Sequence, residues 1–234
     1  MTLRTISGES FNEKTFDISP KDFLKFAKED LKEGNERGFI NSITNSKRAI
    51  DCQIDQTIET LISKSDNFNS IVNDFLSYFE FESDIPTKLR MLHALNLAPS
   101  LMISKSRTLR NKLEHIYQKP NVQDVKEALD IADLFIRSVT GKLGMIWSDF
   151  EIVDWKDNEL SFHFSERQFK IGYRKNDKLI KTYSIDSDNF EFFGLLRLMI
   201  SSDDEIEIGE TFKILLKQIN HQMPIENIRL YQGD

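Results

Sequence analysis

The spacing of apolar residues changes close to Gly144 in this 234-residue chain, from a helical toward an alternating period that lasts to about Tyr173, and that change limits the folds open to it. Before it, apolar side chains recur every three to four residues, the signature of amphipathic helices; after it they alternate, the signature of half-buried strands. Ser19-Pro20-Lys21-Asp22 reads as an N-cap, a proline in the first turn and an acid at N3, so a helix starts there. It turns Phe23, Leu24, Ala27 and Leu31 inward and stops at Gly34. A longer helix is predicted from about Glu36 to Ser63 on the spacing of Phe39, Ile40, Ile43, Ile50, Ile54, Ile58 and Leu61. A shorter one is predicted over Asp66 to Glu82, and another from Pro86 to about Asn96. Pro99-Ser100 marks the turn into a further helix, which must end before Pro120 because an internal proline removes a backbone bond and clashes with the preceding turn. Asn121 caps the next, which carries Val125, Leu129, Ala132, Phe135 and Ile136, with Gly141 and Gly144 expected to end it.

Beyond Gly144, Phe150 and Ile152, then Leu160, Phe162 and Phe164, then Phe169, Ile171 and Tyr173 alternate with polar residues. Turns are predicted at Lys156-Asp157-Asn158 and Lys175-Asn176-Asp177, giving three or four antiparallel strands. Phe190 to Ile200 keeps helical spacing, and Gly209 to His221 reads as a helix. The expected fold class is α+β, an all-α bundle followed by a small antiparallel sheet with helices. The expected organisation is an arm or edge strand over 1–16, a helical bundle over 17–142 and an α+β domain over 143–234.

No apolar run approaches the ~20 residues that span a bilayer, and Met1-Thr2-Leu3-Arg4 does not open an apolar signal segment, so the expected location is the cytoplasm, with no membrane partner. The single Cys52 excludes an internal disulfide and is expected to pack as a small core residue. His93, His163 and His221 lack metal-ligand spacing, and there is no Gly-rich phosphate loop or G-x-S-x-G elbow, so neither a metal nor a cofactor is expected. Phe162, Phe164, Phe169 and Tyr173 would suit a base-stacking sheet, but core packing is the expected use. A net charge of −7 argues against a broad basic surface that coats nucleic acid. Yet Lys105, Arg107, Arg110, Lys112 and Lys119 face only one acid, Glu114, between positions 105 and 119.

That local patch coincides with Arg110-Asn111-Lys112-Leu113-Glu114-His115-Ile116-Tyr117. At 100° per residue, Leu109, Leu113 and Ile116 make an apolar stripe; Arg110, Glu114 and Tyr117 follow a second line, with Asn111 and His115 beside it. The string resembles the R-x4-H-x-Y signature of HEPN domains, small helical bundles that include many ribonucleases of defence and toxin–antitoxin systems. Asn45 to Asp55 is similar to the long upstream helix of some HEPN proteins, and Val122 to Phe135 fits the helix after the motif. The resemblance covers roughly residues 15–142.

Metal-free RNA cleavage needs a base for the 2′-hydroxyl, an acid for the leaving 5′-oxygen and positive charge on the phosphorane. His115 titrates near neutrality and can act as base or acid. Arg110 matches phosphate oxygens with its planar fork, Asn111 is placed to orient His115 or the substrate, and Tyr117 to bond a phosphate or stack a base. Lys112, Arg107 and Lys119 would bind backbone phosphates; Glu114, Arg48 and Asp51 are supporting candidates, although Glu114 also suits a simple pair with Arg110, and Arg48, Asp51 and Asp55 a solvated face. One motif supplies one His. The resemblance implies a homodimer through the motif helix, RNA as substrate, 2′,3′-cyclic phosphate as product, and an antitoxin or defence-system partner. The alternative is a catalytically silent HEPN module for dimerisation or nucleotide binding, with Tyr117 modified by a partner nucleotidyltransferase.

Overall fold

In the computed structural model of the chain, residues 1–63, 68–81, 85–99, 104–105, 119–156, 158–222 and 224–233 are described. They form seven α-helices and a six-stranded sheet, an α+β fold. The helix starts follow their capping chemistry. Ser19 and Asp22 make a reciprocal capping box at α1 (Pro20–Lys32), where the Asp22 carboxyl is held below its ordinary value chiefly by the Ser19 hydrogen bonds. The chain leaves α1 through Gly34, at φ +65°. Asn35 caps α2 (Glu36–Leu61), and Asn121 and Asp124 repeat the box at the 23-residue helix α5 (Val122–Gly144). Between these lie α3 (Phe68–Leu76), shorter than the predicted span, and α4 (Thr87–Ala94).

The seam of α2 differs in composition from a purely apolar stripe. Ile43, Ile50, Ile54, Ile58 and Leu61 are buried as expected, but Ile40 is exposed, and Ser42, Ser46, Gln53 and Thr57 are buried in its place. Small polar side chains fit there because the helix satisfies them: Ser46 Oγ donates to the Ser42 carbonyl at 2.9 Å and Thr57 Oγ1 to that of Gln53 at 2.8 Å. Ser42 Oγ donates instead to the Ala27 carbonyl of α1 at 2.7 Å, joining the two helices. Cys52 is half-buried rather than a core residue, its Sγ 3.5 Å from the Ile18 carbonyl, and burial raises its thiol pKa.

The N-terminal segment is no arm. Its residues form β1 (Thr2–Glu9), inside the sheet rather than at its edge. It pairs antiparallel with β2 (Ile146–Val153), and β3 (Asn158–Ser165), β4 (Gln168–Lys175) and β5 (Lys178–Ile185) follow as a meander. On the other side β1 pairs in parallel with the two-residue β6 (Tyr231–Gln232). Phe11 N–H then donates to the Leu143 carbonyl at 2.8 Å and the Asn12 amide to that of Thr140 at 2.8 Å, meeting carbonyls that the end of α5 leaves open. That helix runs through Gly141 and reaches Gly144.

Two hairpins turn at paired left-handed residues, Glu166-Arg167 and Asn176-Asp177. Phe162, Phe164 and Phe169 are buried, as core packing predicts, and Tyr173 donates to Asn158 Oδ1 at 3.0 Å. The sheet's inner face meets α6 (Phe192–Ile200), all nine residues of which are buried. The sequence α7 (Glu207–Gln218) packs on α6 so closely that a Cβ on Gly194 would stand 2.5 Å from Gln218 Oε1.

An unbroken row of aromatic contacts crosses the expected domain boundary. Phe164 meets Phe169 at 4.8 Å, Phe169 meets Phe192 at 5.9 Å, Phe192 meets Phe193 at 5.3 Å, and Phe193 stacks on Phe75 of α3 at 5.6 Å. Sheet and helices therefore share one continuous core. Arg197 of α6 is fixed in it. Its Nε donates to Thr211 Oγ1 at 3.0 Å, one terminal nitrogen donates to the Ala94 carbonyl of α4, and the other pairs with Glu207 at 3.0 Å. Its guanidinium also lies 5.1 Å from the Phe79 ring centroid. Burial lowers the pKa of this guanidinium, and Glu207 opposes the shift. Removing the group would leave a buried carbonyl and hydroxyl without their donor, so Arg197→Ala is expected to cost about 3–5 kcal/mol in urea denaturation. A loss under about 1 kcal/mol would show that the network is not coupling α4, α6 and α7.

Candidate functional site

The sequence places the candidate chemistry between Pro99 and Pro120. Arg107, Arg110, Asn111, Lys112, Glu114, His115 and Tyr117 lie outside the described residues. The residues on either side are described, and each end carries an ion pair. Lys105 Nζ is 3.2 Å from Glu127 of α5, and Lys119 Nζ is 3.0 Å from Glu36 in the first turn of α2. Lys119 thus stands at the end of α2 where an acid also suits the helix dipole. Arg48 and Asp51 are exposed along α2, and Asp55 pairs with Lys88 of α4 at 2.5 Å.

A second polar constellation sits on the outer face of the sheet, and the sequence reading did not assemble it. The Asp149 carboxylate on β2 takes one donor on each oxygen: the Ser7 hydroxyl of β1 on Oδ2, and His163 Nδ1 of β3 on Oδ1 at 2.6 Å. Ser7 and Asp149 are direct cross-strand partners, and so are Asp149 and His163. The second pair was open to inspection, because Asp149 and His163 lie equally far from Lys156 in the predicted turn. The first was not, since nothing local in the sequence aligns Ser7 with a strand of the other end.

The order of groups decides what this cluster can do. A nucleophilic triad puts the hydroxyl on the imidazole, and the carboxylate behind it. Here the hydroxyl and the imidazole both bind the carboxylate, so Ser7 is not activated. The carboxylate instead favours the tautomer with the proton on Nδ1, leaving Nε2 as acceptor. Flanking pairs Arg4–Glu151 at 3.4 Å and Arg174–Glu159 at 2.6 Å continue the same outer face, so the row reads as cross-strand pinning of β1 to β4. Among the described residues no group of three His, Cys, Asp or Glu side chains is placed to hold a metal ion, and no helix is long and apolar enough to cross a membrane.

Comparisons with protein-family models, with curated proteins and with solved structures find no match for this chain.

His163 is half exposed, and solvent screens its pairing with Asp149. Asp149→Ala is therefore expected to cost no more than about 1 kcal/mol of stability. Nitrogen NMR of neutral His163 should show the Nδ1–H tautomer in the wild type and its loss in the variant. An unchanged tautomer would mean that the carboxylate does not orient the ring.

Proposed function

We propose that the chain is a metal-independent endoribonuclease of the HEPN class, acting as a homodimer in the cytoplasm within a defence or toxin–antitoxin system. The observation that carries this reading is the string Arg110-Asn111-x-x-Glu114-His115-x-Tyr117, in a locally basic stretch of an acidic chain. It is also supported by its surroundings: a 26-residue α2 upstream, the Asn121-capped α5 immediately downstream, and ion pairs from Lys105 and Lys119 to those two helices.

In the proposed reaction the ribose 2′-oxygen attacks the adjacent phosphorus while the bond from phosphorus to the 5′-oxygen breaks. One His115 takes the 2′-hydroxyl proton and the partner's His115 gives a proton to the departing 5′-oxygen, so the two protomers supply base and acid. Arg110 from each protomer offsets the charge that builds on the phosphorane oxygens. Asn111 holds the imidazole or the substrate. Tyr117 bonds the phosphate or stacks a base, and Lys112, Arg107 and Lys119 bind flanking phosphates. Glu114 neutralises Arg110 between turnovers.

Purified protein incubated with total RNA in excess EDTA should yield fragments ending in 2′,3′-cyclic phosphate. His115→Ala should lower the rate by about 10²–10⁴, the range of general acid–base catalysis, and Arg110→Ala by a comparable factor. Silence from a wild-type dimer would overturn the ribonuclease reading. Adenylation of Tyr117 by a partner nucleotidyltransferase would then support the silent-module alternative.

A further inference from the structure

A basic surface lies near the C-terminus, far from the motif in sequence. Lys213 and Lys217 of α7 stand one turn apart on one line of the helix, and His221, beyond the helix end, lines the same cavity. Across from this ridge runs the returning segment from Pro224 to β6. Leu230 is buried there, so Arg229 and Tyr231, its neighbours on either side, share the opposite, exposed face. Between ridge and segment is a cavity of about 870 Å³ to which all five of these side chains contribute.

The segment is held close. Tyr231 N–H donates to the Met1 carbonyl at 3.1 Å and Gly233 N–H to that of Leu3 at 2.7 Å. A Cβ at Gly233 would stand 2.6 Å from Thr2 Cγ2, so this approach to β1 requires glycine. The backbone that carries Arg229 and Tyr231 is thus fixed to the sheet, while α7 is fixed to the core through Phe212, Leu215 and Leu216. Both walls are anchored to the same fold.

Charge selects the ligand. Among the described lining residues, Lys213, Lys217 and Arg229 stand against one acid, Glu226, in a chain whose net charge is −7. Lys213 is paired with Glu210 at 2.6 Å, outside the cavity lining. Among the described residues Lys217 and Arg229 form no ion pair, so their charge is available to an anion. The volume falls in the range of small-molecule sites. Beside the cations, Tyr231 exposes an aromatic face and Ile225 and Ile228 supply apolar surface.

We propose that this cavity binds a phosphorylated nucleotide, its phosphates held by Lys217 and Arg229 and its base against Tyr231. The same chemistry is offered by a free nucleotide and by the 5′-phosphorylated end of a nucleic-acid strand. The proposal does not rest on the ribonuclease reading, because neither its residues nor its readout involves the motif.

Titration calorimetry of the full chain at low salt tests it with three probes: ADP, inorganic phosphate, and a 5′-phosphorylated, 2′-O-methylated trinucleotide that 2′-hydroxyl attack cannot cleave. ADP or the trinucleotide should bind, with inorganic phosphate at least about tenfold weaker than either. Preference for ADP would identify a free nucleotide, and preference for the trinucleotide a strand end. Lys217→Glu and Arg229→Glu, both at exposed positions, should each weaken binding about tenfold or more, and Tyr231→Ala about tenfold. Circular dichroism of each variant should match the wild type. Three results would overturn the proposal: no binding of ADP or trinucleotide at about 1 mM, binding that folded charge-reversed variants retain, or inorganic phosphate binding as tightly as ADP.

Discussion

The burial of α6 from all sides is the constraint on which the remaining packing depends. A nine-residue helix with no exposed residue must be covered by several elements at once, and here β2 and its neighbours, α3 and α7 supply the cover. Its aromatics extend that contact in both directions, Phe192 toward Phe169 in the sheet and Phe193 toward Phe75 in the helical half. Arg197 is the polar counterpart. It brings a cation into this apolar setting, and the cation is accommodated only because Ala94 of α4 and Thr211 and Glu207 of α7 meet it from two sides. Further polar ties run alongside: Asn96 donates to Ser201 Oγ at 3.1 Å and Ser187 to the Ser63 carbonyl. The sheet-bearing third of the chain is therefore welded to the helical part rather than appended by a linker.

What could be read from the sequence was whatever depends on neighbours in the chain. Capping residues Ser19 and Asn121, the left-handed exit at Gly34, the helical spacing of Phe192 to Met199 and the alternation around Phe162 all act over a few residues, and each element appears where those residues put it. The position of β1 was not legible. A short strand of mixed polarity carries little periodic signal, and its place between β2 and β6 depends on pairings more than a hundred residues away. The same distance hid Ser7 from Asp149. The buried polar stripe of α2 escaped for another reason: a serine or threonine that bonds its own helix behaves as a small core residue, which hydrophobic spacing alone does not register. The chemistry of the candidate site was visible as a string of residue types, Arg110 to Tyr117, and that string lies outside the described residues, so its proposed roles rest on sequence and chemical argument.

The proposed ribonuclease and the surrounding fold make compatible demands. Acid–base cleavage of RNA needs two proton-transfer groups, and a chain with one motif gains the second by symmetry. An acidic protein that cuts RNA also needs its positive charge localised, and the sequence concentrates it around the motif. The outer-face cluster of Ser7, Asp149 and His163 is not a nucleophilic triad, because its hydroxyl is bonded to the carboxylate and not to the imidazole. The basic cavity near the C-terminus would give the same chain a place to bind a phosphorylated ligand.

The claim that two chains complete one site is tested most directly by mixing. Wild type and His115→Ala, unfolded and refolded together at a fixed total concentration so that protomers exchange, would be assayed for metal-free RNA cleavage as the wild-type fraction is varied. If one His115 is the base and the partner's His115 the acid, activity follows the square of the wild-type fraction, because only wild-type pairs cleave. A linear dependence would mean that each chain works alone and would contradict the composite site.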